Sequence, residues 1–360
     1  MAEQERYSRQ MMLPGFGHAA QQKLEQAKVL IVGMGALGCP ALQYLTGAGI
    51  GTIGIADGDV IQLHNLHRQP LFYTGEVGQN KTTIAATKMR ALNSNVQITV
   101  YPFHIDQKNA LKIISEYDMV IDATDNFPSK YLLNDACALM STPLIYGAVT
   151  QYEGQVAVFN HSKNGRNIQY RDVFPDPPNS GAILSCEEAG VLGVLPGIIG
   201  TVQAAEAMKL ITGLGRLLDG ILLTYQVLNA QCYEIELSKN FSVKEIDKAT
   251  FENTDYQWIC SPNTHIREIS IDEFKQLQLS RQLFIIDVRE CHEEPVVDFA
   301  DVRIPLSQLS SIPIEIPDQK NICVICQHGL RSQYAAKQLQ QLTHQTIFSL
   351  SGGLAAYFKV

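Results

Sequence analysis

Two sets of residues in this chain are spaced for chemistry, and they lie near its opposite ends. Gly33-x-Gly35-x-x-Gly38 comes directly after the apolar run Val29–Val32. Glycines at that spacing permit a tight turn, let backbone amides approach a phosphate, and seat the next helix on the sheet. The N–H groups opening that helix would face an anion. Asp57 lies about 20 residues further on, where an acid can bond ribose hydroxyls. At the other end, Cys326-x-x-Gly329-x-Arg331 comes after the apolar run Ile322–Ile325 and precedes a helical pattern. A loop of that shape turns successive N–H groups inward and, with a guanidinium nearby, favours a thiolate. A nucleotide site and a sulfur-handling site on one polypeptide narrow the function more than either does alone.

Taken alone, the glycine fingerprint suits NAD and a dehydrogenase. The residues beyond it suit a triphosphate better: Asp57-x-Asp59, then Asn65, Arg68 and Gln69, then Lys81, then Asp125-Asn126. Cations match the larger charge of a triphosphate, and a free carboxylate such as Asp125 at a strand tip can hold Mg²⁺. Together they fit adenylyl transfer, in which charge builds as pyrophosphate leaves. Each residue also has a plainer reading. Arg9 could be a solvated charge, Lys81 an exposed helix residue, Asn65 and Asp59 turn residues, and Asp125-Asn126 a helix cap. At the sulfur end, loops that handle phosphate or arsenate place the arginine one residue further on, so this tighter spacing suits a single terminal sulfur. Cys323 and Cys326 also spell Cys-x-x-Cys, a redox or metal pair as an alternative.

These residues need elements to hold them. Strands are expected at Val29–Val32, Gly51–Ala56, Gln97–Tyr101, Met119–Asp122, Leu144–Gly147 and Gly154–Phe159, with helices at Cys39–Ala48, Lys81–Asn93, Lys130–Met140 and Gly197–Ile211. The alternation predicts an α/β fold, Rossmann-like with a mostly parallel sheet. Gly165 to Cys186 lacks any period and reads as a long loop. Residues 1–240 form the expected nucleotide domain and 241–264 a linker. Residues 265–360 form a smaller α/β domain with strands at Leu283–Val288 and Ile322–Ile325 and a helix at Arg331–Leu342.

Composition sets outer limits. A 360-residue chain with 46% hydrophobic and 18% charged residues is ordinary for a globular protein of about two domains. Its net charge of −8 disfavours nucleic acid as a partner. The opening residues lack a signal-peptide pattern, and the most apolar window, Val191 to Val202, is short for a bilayer and contains Pro196. The expectation is no membrane and a cytoplasmic location. Eight cysteines here are no disulfide framework. Cys39, Cys137, Cys232 and Cys323 are expected to be buried, whereas Cys186 and Cys326 have polar, turn-forming neighbours.

Arg6-Tyr7-Ser8-Arg9-Gln10, the glycine turn, Asp57 through Gln69, Lys81, Asp125-Asn126 and Cys186-Glu187-Glu188-Ala189-Gly190-Val191 together resemble the MoeB/ThiF/HesA family, prokaryotic relatives of ubiquitin-activating enzymes. The resemblance implies a homodimer that uses ATP and Mg²⁺ to adenylate the C-terminal Gly-Gly carboxylate of a ubiquitin-like sulfur carrier. By it, Asp57 is the ribose ligand. Asn65, Arg68, Gln69 and Lys81 contact phosphates, Asp125 holds magnesium, and Arg9 reaches the partner subunit's ATP. Cys186 matches a position where some relatives link covalently to their carrier. The family's zinc site uses two Cys-x-x-Cys pairs; here the first place reads Gln169-Tyr170-Arg171-Asp172 and no second pair appears between Gln231 and His265, so no structural zinc is expected. The C-terminal unit resembles a rhodanese domain at Asp287-Val288-Arg289, Cys326 to Arg331 and Leu350-Ser351-Gly352-Gly353. That implies a persulfide on Cys326, supplied by a cysteine desulfurase or thiosulfate. Val296–Arg303 departs from the rhodanese pattern on the donor-facing side. The expected product is a carrier thiocarboxylate for molybdopterin or thiamine biosynthesis. An NAD-dependent oxidoreductase with an appended sulfur module, or a non-catalytic carrier-binding scaffold, are the alternatives.

Overall fold

The computed structural model describes residues 5–161, 167–175, 190–254, 256, 266–280, 282–290, 293–309, 320–340, 343 and 345–358. The chain divides into two compact units that part near residue 260.

The first unit is built on eight strands: β1 Lys28–Val32, β2 Thr52–Ala56, β3 Gln97–Tyr101, β4 Met119–Asp122, β5 Leu144–Thr150, β6 Glu153–Phe159, β7 Ile221–Gln226 and β8 Gln231–Glu236. They lie in the order β3-β2-β1-β4-β5-β6-β7-β8. From β3 to β5 neighbours are parallel, and from β5 to β8 antiparallel. Val29 to Val32 and all of β4 are buried without alternation, as strands covered on both faces must be. The covering helices include α1 Gly38–Ala48, α2 Lys81–Leu92, α3 Phe127–Met140 and α4 Val194–Thr212. Asn80 caps α2 through Thr83 N, and Asn126 caps α3 through Ser129 N at 2.9 Å, starting α3 three residues earlier than its periodicity suggests. Pro196 sits in the first turn of α4, where a missing N–H costs nothing, so the helix runs through it.

Among the described residues α4 is long and apolar enough, by length and composition alone, to cross a membrane. Leu195, Ile199, Ala204 and Ala207 are buried in the main core with strand residues, and Gln203 Nε2 donates to the Asp122 and Ile145 carbonyls. It is a core helix of this unit.

Several expectations are revised here. Strands β7 and β8 complete the sheet beyond the six strands expected, and Cys232 on β8 is exposed, because every residue of that edge strand is. Part of the stretch expected as a linker folds as α5, Lys248–Asn253, capped by Asp247 and anchored by fully buried Phe251. Within the long loop, Tyr170–Val173 forms a helical turn whose Arg171 meets both oxygens of Asp135 at 2.7 Å. Tyr256 donates to the same carboxylate, and Lys239 pairs with Asp172.

The second unit is a five-stranded parallel sheet in the order β11-β10-β12-β13-β9. Its strands are β9 Ile266–Ile269, β10 Leu283–Asp287, β11 Val302–Arg303, β12 Asn321–Ile325 and β13 Ile347–Leu350, with helices α6 Ile271–Leu279, α7 Leu330–Gln340 and α8 Gly353–Tyr357. Ile322 and Val324 face one core cluster, while Cys323 and Ile325 face the other.

Candidate functional site

In the first unit the relevant side chains gather at the carboxyl ends of β1, β2 and β4, where the chain reverses its progress across the sheet and α/β proteins bind ligands. Gly33 has φ +98°, and a Cβ there would lie 2.5 Å from the Ala123 carbonyl oxygen; one on Gly38 would meet the Gly33 oxygen. Both glycines are sterically required. Gly35 differs: its nearest neighbour would be Gln69 Nε2 at 3.7 Å, so its backbone lies open. No side chain caps the start of α1; Cys39 N binds the Gly35 carbonyl and Pro40 has no N–H, which leaves Gly38 N as the first-turn group open to an anion.

Asp57 fastens this cradle. One of its oxygens accepts from Met34 N at 2.7 Å and the other from Asp59 N at 2.8 Å. Gln69 is buried, and its Oε1 has no hydrogen-bond partner among the described residues. An orphaned buried acceptor beside an open glycine turn is the mark of a missing ligand or water. Asn65 is buried and accepts from Gln62 N. Lys81, also buried, pairs with Asp59 at 2.9 Å. Arg68 donates to the His64 carbonyl and lies 3.0 Å from His67 Nε2. Asp125 is exposed, with no hydrogen bond or ion pair to the described residues, whereas the Asn126 side chain is used as the α3 cap. Asp57, Asp59 and His104 also offer ligand atoms within 4.8 Å of one another. The exposed carboxylates Asp59 and Asp125 are thus the hard oxygen donors a divalent cation would use. Arg9 is exposed and, among the described residues, its guanidinium reaches Met12 Sδ; Cys186 lies outside the described residues.

The loop carrying Asp125 is held from beneath by residues that the sequence did not single out. Asp122, fully buried, accepts from Thr124 N at 3.0 Å and Thr124 Oγ1 at 2.6 Å. Lys130 donates to Asp122 at 3.2 Å, to the Thr124 carbonyl at 2.9 Å and to the Gly147 carbonyl at 2.8 Å. The one available signal was charged residues at a strand end and inside an otherwise apolar helix.

In the second unit Cys326 directly follows β12 and is buried, its Sγ accepting from Gly329 N and Ser332 N, each at 3.2 Å. The inward N–H groups have a cause: Leu354 N and Ala355 N, opening α8, bind the Cys326 and Gln327 carbonyls and hold them outward. Gly353 must be glycine, since its Cβ would crowd the Cys326 oxygen. Ser332, buried, donates to the Gly329 carbonyl and meets Ser349 Oγ. Cys323 faces the opposite core from Cys326, and burial pushes its thiol far above the usual range, so the two do not form a pair. Arg331 turns to an acid. Its guanidinium grips both oxygens of Glu293, and this ion pair holds the Glu293 carboxyl down to about 2. Arg289, fully buried, is matched by Asp287 at 2.7 Å.

Residues 7–245 match the ThiF family. The sulfur carrier protein adenylyltransferase of Thermus thermophilus is 46% identical over 240 residues, covering 66% of this chain and 89% of that relative. Other relatives extend over both units, two of them as follows. The adenylyltransferase and sulfurtransferase UBA4 of Meyerozyma guilliermondii is 36% identical over 99% of this chain and 88% of its own length. The probable adenylyltransferase/sulfurtransferase MoeZ of Mycobacterium tuberculosis is 34% identical over 98% and 92%. Among solved structures, Escherichia coli MccB shares the fold of the first unit, with a TM-score of 0.59 and 22% identity over 67% of this chain and 74% of that one. The glycine cradle and the cysteine loop therefore sit in a chain that belongs to the ThiF family and, over nearly its whole length, is similar to relatives named adenylyltransferase and sulfurtransferase.

Proposed function

We propose that this enzyme adenylates the C-terminal Gly-Gly carboxylate of a ubiquitin-like sulfur carrier with ATP and then transfers persulfide sulfur to it. The observation that carries the reading is the open Gly35 turn beside orphaned Gln69 Oε1, with Lys81 and Asp125 at the same strand ends, in a chain whose second unit wraps a cysteine sulfur in backbone N–H groups.

In this reading the cradle and Gln69 orient the nucleotide, and Asp57 keeps the cradle shaped for it. Lys81 and Arg68 balance charge on the leaving pyrophosphate. A magnesium ion held by Asp125 would supply further charge stabilisation. Arg9, exposed in one protomer, serves the partner's site in a homodimer. The Cys326 persulfide attacks the activated carbonyl and AMP leaves, or it attacks a Cys186 acyl thioester and the Cys186 thiolate leaves; a thiol then attacks the Cys326 sulfur of the resulting acyl disulfide, is oxidised to a disulfide with it, and releases the carrier thiocarboxylate. The Arg171–Asp135–Tyr256 and Asp172–Lys239 contacts support a crossover segment held without zinc. The carrier would serve molybdopterin or thiamine synthesis, in the cytoplasm.

Carrier-dependent exchange of labelled pyrophosphate into ATP tests the first half. Tight NAD binding with no exchange would return the chain to the oxidoreductase reading, and carrier binding without pyrophosphate release to the scaffold.

A further inference from the structure

The arginine of the cysteine loop is already occupied. Arg331 Nη2 donates to Glu293 Oε2 at 2.7 Å and Nη1 to Oε1, a two-pronged pair with the side chains 35% and 21% exposed. Such forked geometry commits the guanidinium far more than a single contact does. Glu293 is not a loose surface acid. Its own N–H donates to the Glu290 carbonyl and Oε1 accepts from Glu290 N. Arg303 Nη2 binds the carbonyls of Glu290 and Glu293, and Arg289 Nη2 binds that of Pro295 at 2.9 Å. Two arginines thus fix the backbone that presents this carboxylate. Asp287, Glu290, Glu293 and Glu294 outnumber Arg289, Arg303 and Arg331 in this region, so no surplus positive charge from these residues faces an incoming donor.

Resting on the sulfurtransferase reading above, we propose that Glu293 is a specificity-determining residue: by neutralising Arg331 it disfavours doubly charged donors such as thiosulfate and favours singly charged sulfane-sulfur donors, persulfides included. The discriminated step is the loading of Cys326. With thiosulfate, the Cys326 thiolate attacks the sulfane sulfur, a new S–S bond forms, the S–S bond of thiosulfate breaks, and sulfite leaves with the electron pair. Sulfite leaves as a dianion and needs a free cation. A thiosulfonate reacts by the same course but releases a singly charged sulfinate.

The test is sulfur transfer to cyanide by the full-length chain and by Glu293→Gln, with thiosulfate and methanethiosulfonate as donors. Freeing Arg331 should raise kcat/KM for thiosulfate roughly fivefold to tenfold and raise the methanethiosulfonate value distinctly less. Glu293→Asp, which keeps the charge, should stay close to the parent, and the pyrophosphate exchange of Glu293→Gln should be unchanged. An equal or lower thiosulfate value in Glu293→Gln, with methanethiosulfonate transfer intact, would overturn the proposal and leave the sulfurtransferase reading standing. Absence of transfer from both donors in every variant would overturn both.

Discussion

On the proposed function, two side chains of opposite circumstance, Asp125 and Cys326, would carry the chemistry. Asp125 stands in solvent without a partner among the described residues, and the buried Cys326 sulfur accepts from two backbone N–H groups. Asp125→Ala should lower carrier-dependent pyrophosphate exchange about a hundredfold or more, the usual consequence of removing a group that stabilises developing charge. Cys326→Ala should abolish sulfur loading and spare that exchange; equal loss of both would refute the division of labour. Glu293 adds a dependence on pH. Its folded-state carboxyl titrates at about 2, below its ordinary value of 4.5, because Arg331 binds it. The pair's stabilisation is therefore fully present above about 4.5 and is lost as pH falls toward about 2. Acid unfolding measured by far-ultraviolet circular dichroism should show a steeper loss in that window for the parent than for Glu293→Gln.

At the scale of elements, the site is a set of strand ends fixed by caps and buried charge. Lys130 holds the β4–α3 turn by three hydrogen bonds, one of them to buried Asp122. Lys130→Met leaves that carboxylate buried without its cation and should cost about 3–5 kcal/mol in the unfolding of the first unit; a change below about 1 kcal/mol by urea titration would remove Lys130 from this role. This turn also shows how far the fold is legible in the chain. Strands β1 to β6 and helices α1 to α4 are visible because their apolar runs and periods are long, and the glycine spacing marks the cradle. The Asp122–Lys130 pair is not visible, because its meaning depends on a turn that folds back on itself. Strand β8 escapes for a simpler reason: as an exposed edge it lacks a buried face to imprint a pattern. Glu293 is hidden because its partner lies 38 residues away in sequence.

For the whole molecule, each unit has its own sheet and its own core. That arrangement suits the two half-reactions of the proposed function, in which the carrier's terminus would be the shared substrate. Metal analysis of the purified protein should find no stoichiometric zinc; one equivalent per chain would contradict the polar clamp around Asp135 and Asp172. The most direct test is the mass of a Gly-Gly-terminated sulfur carrier after incubation with the full-length protein, ATP, magnesium, a sulfane-sulfur donor and a thiol that cleaves the acyl disulfide. Replacement of one terminal oxygen by sulfur, dependent on both ATP and Cys326, is the predicted result. An unchanged carrier with no pyrophosphate released would contradict the account.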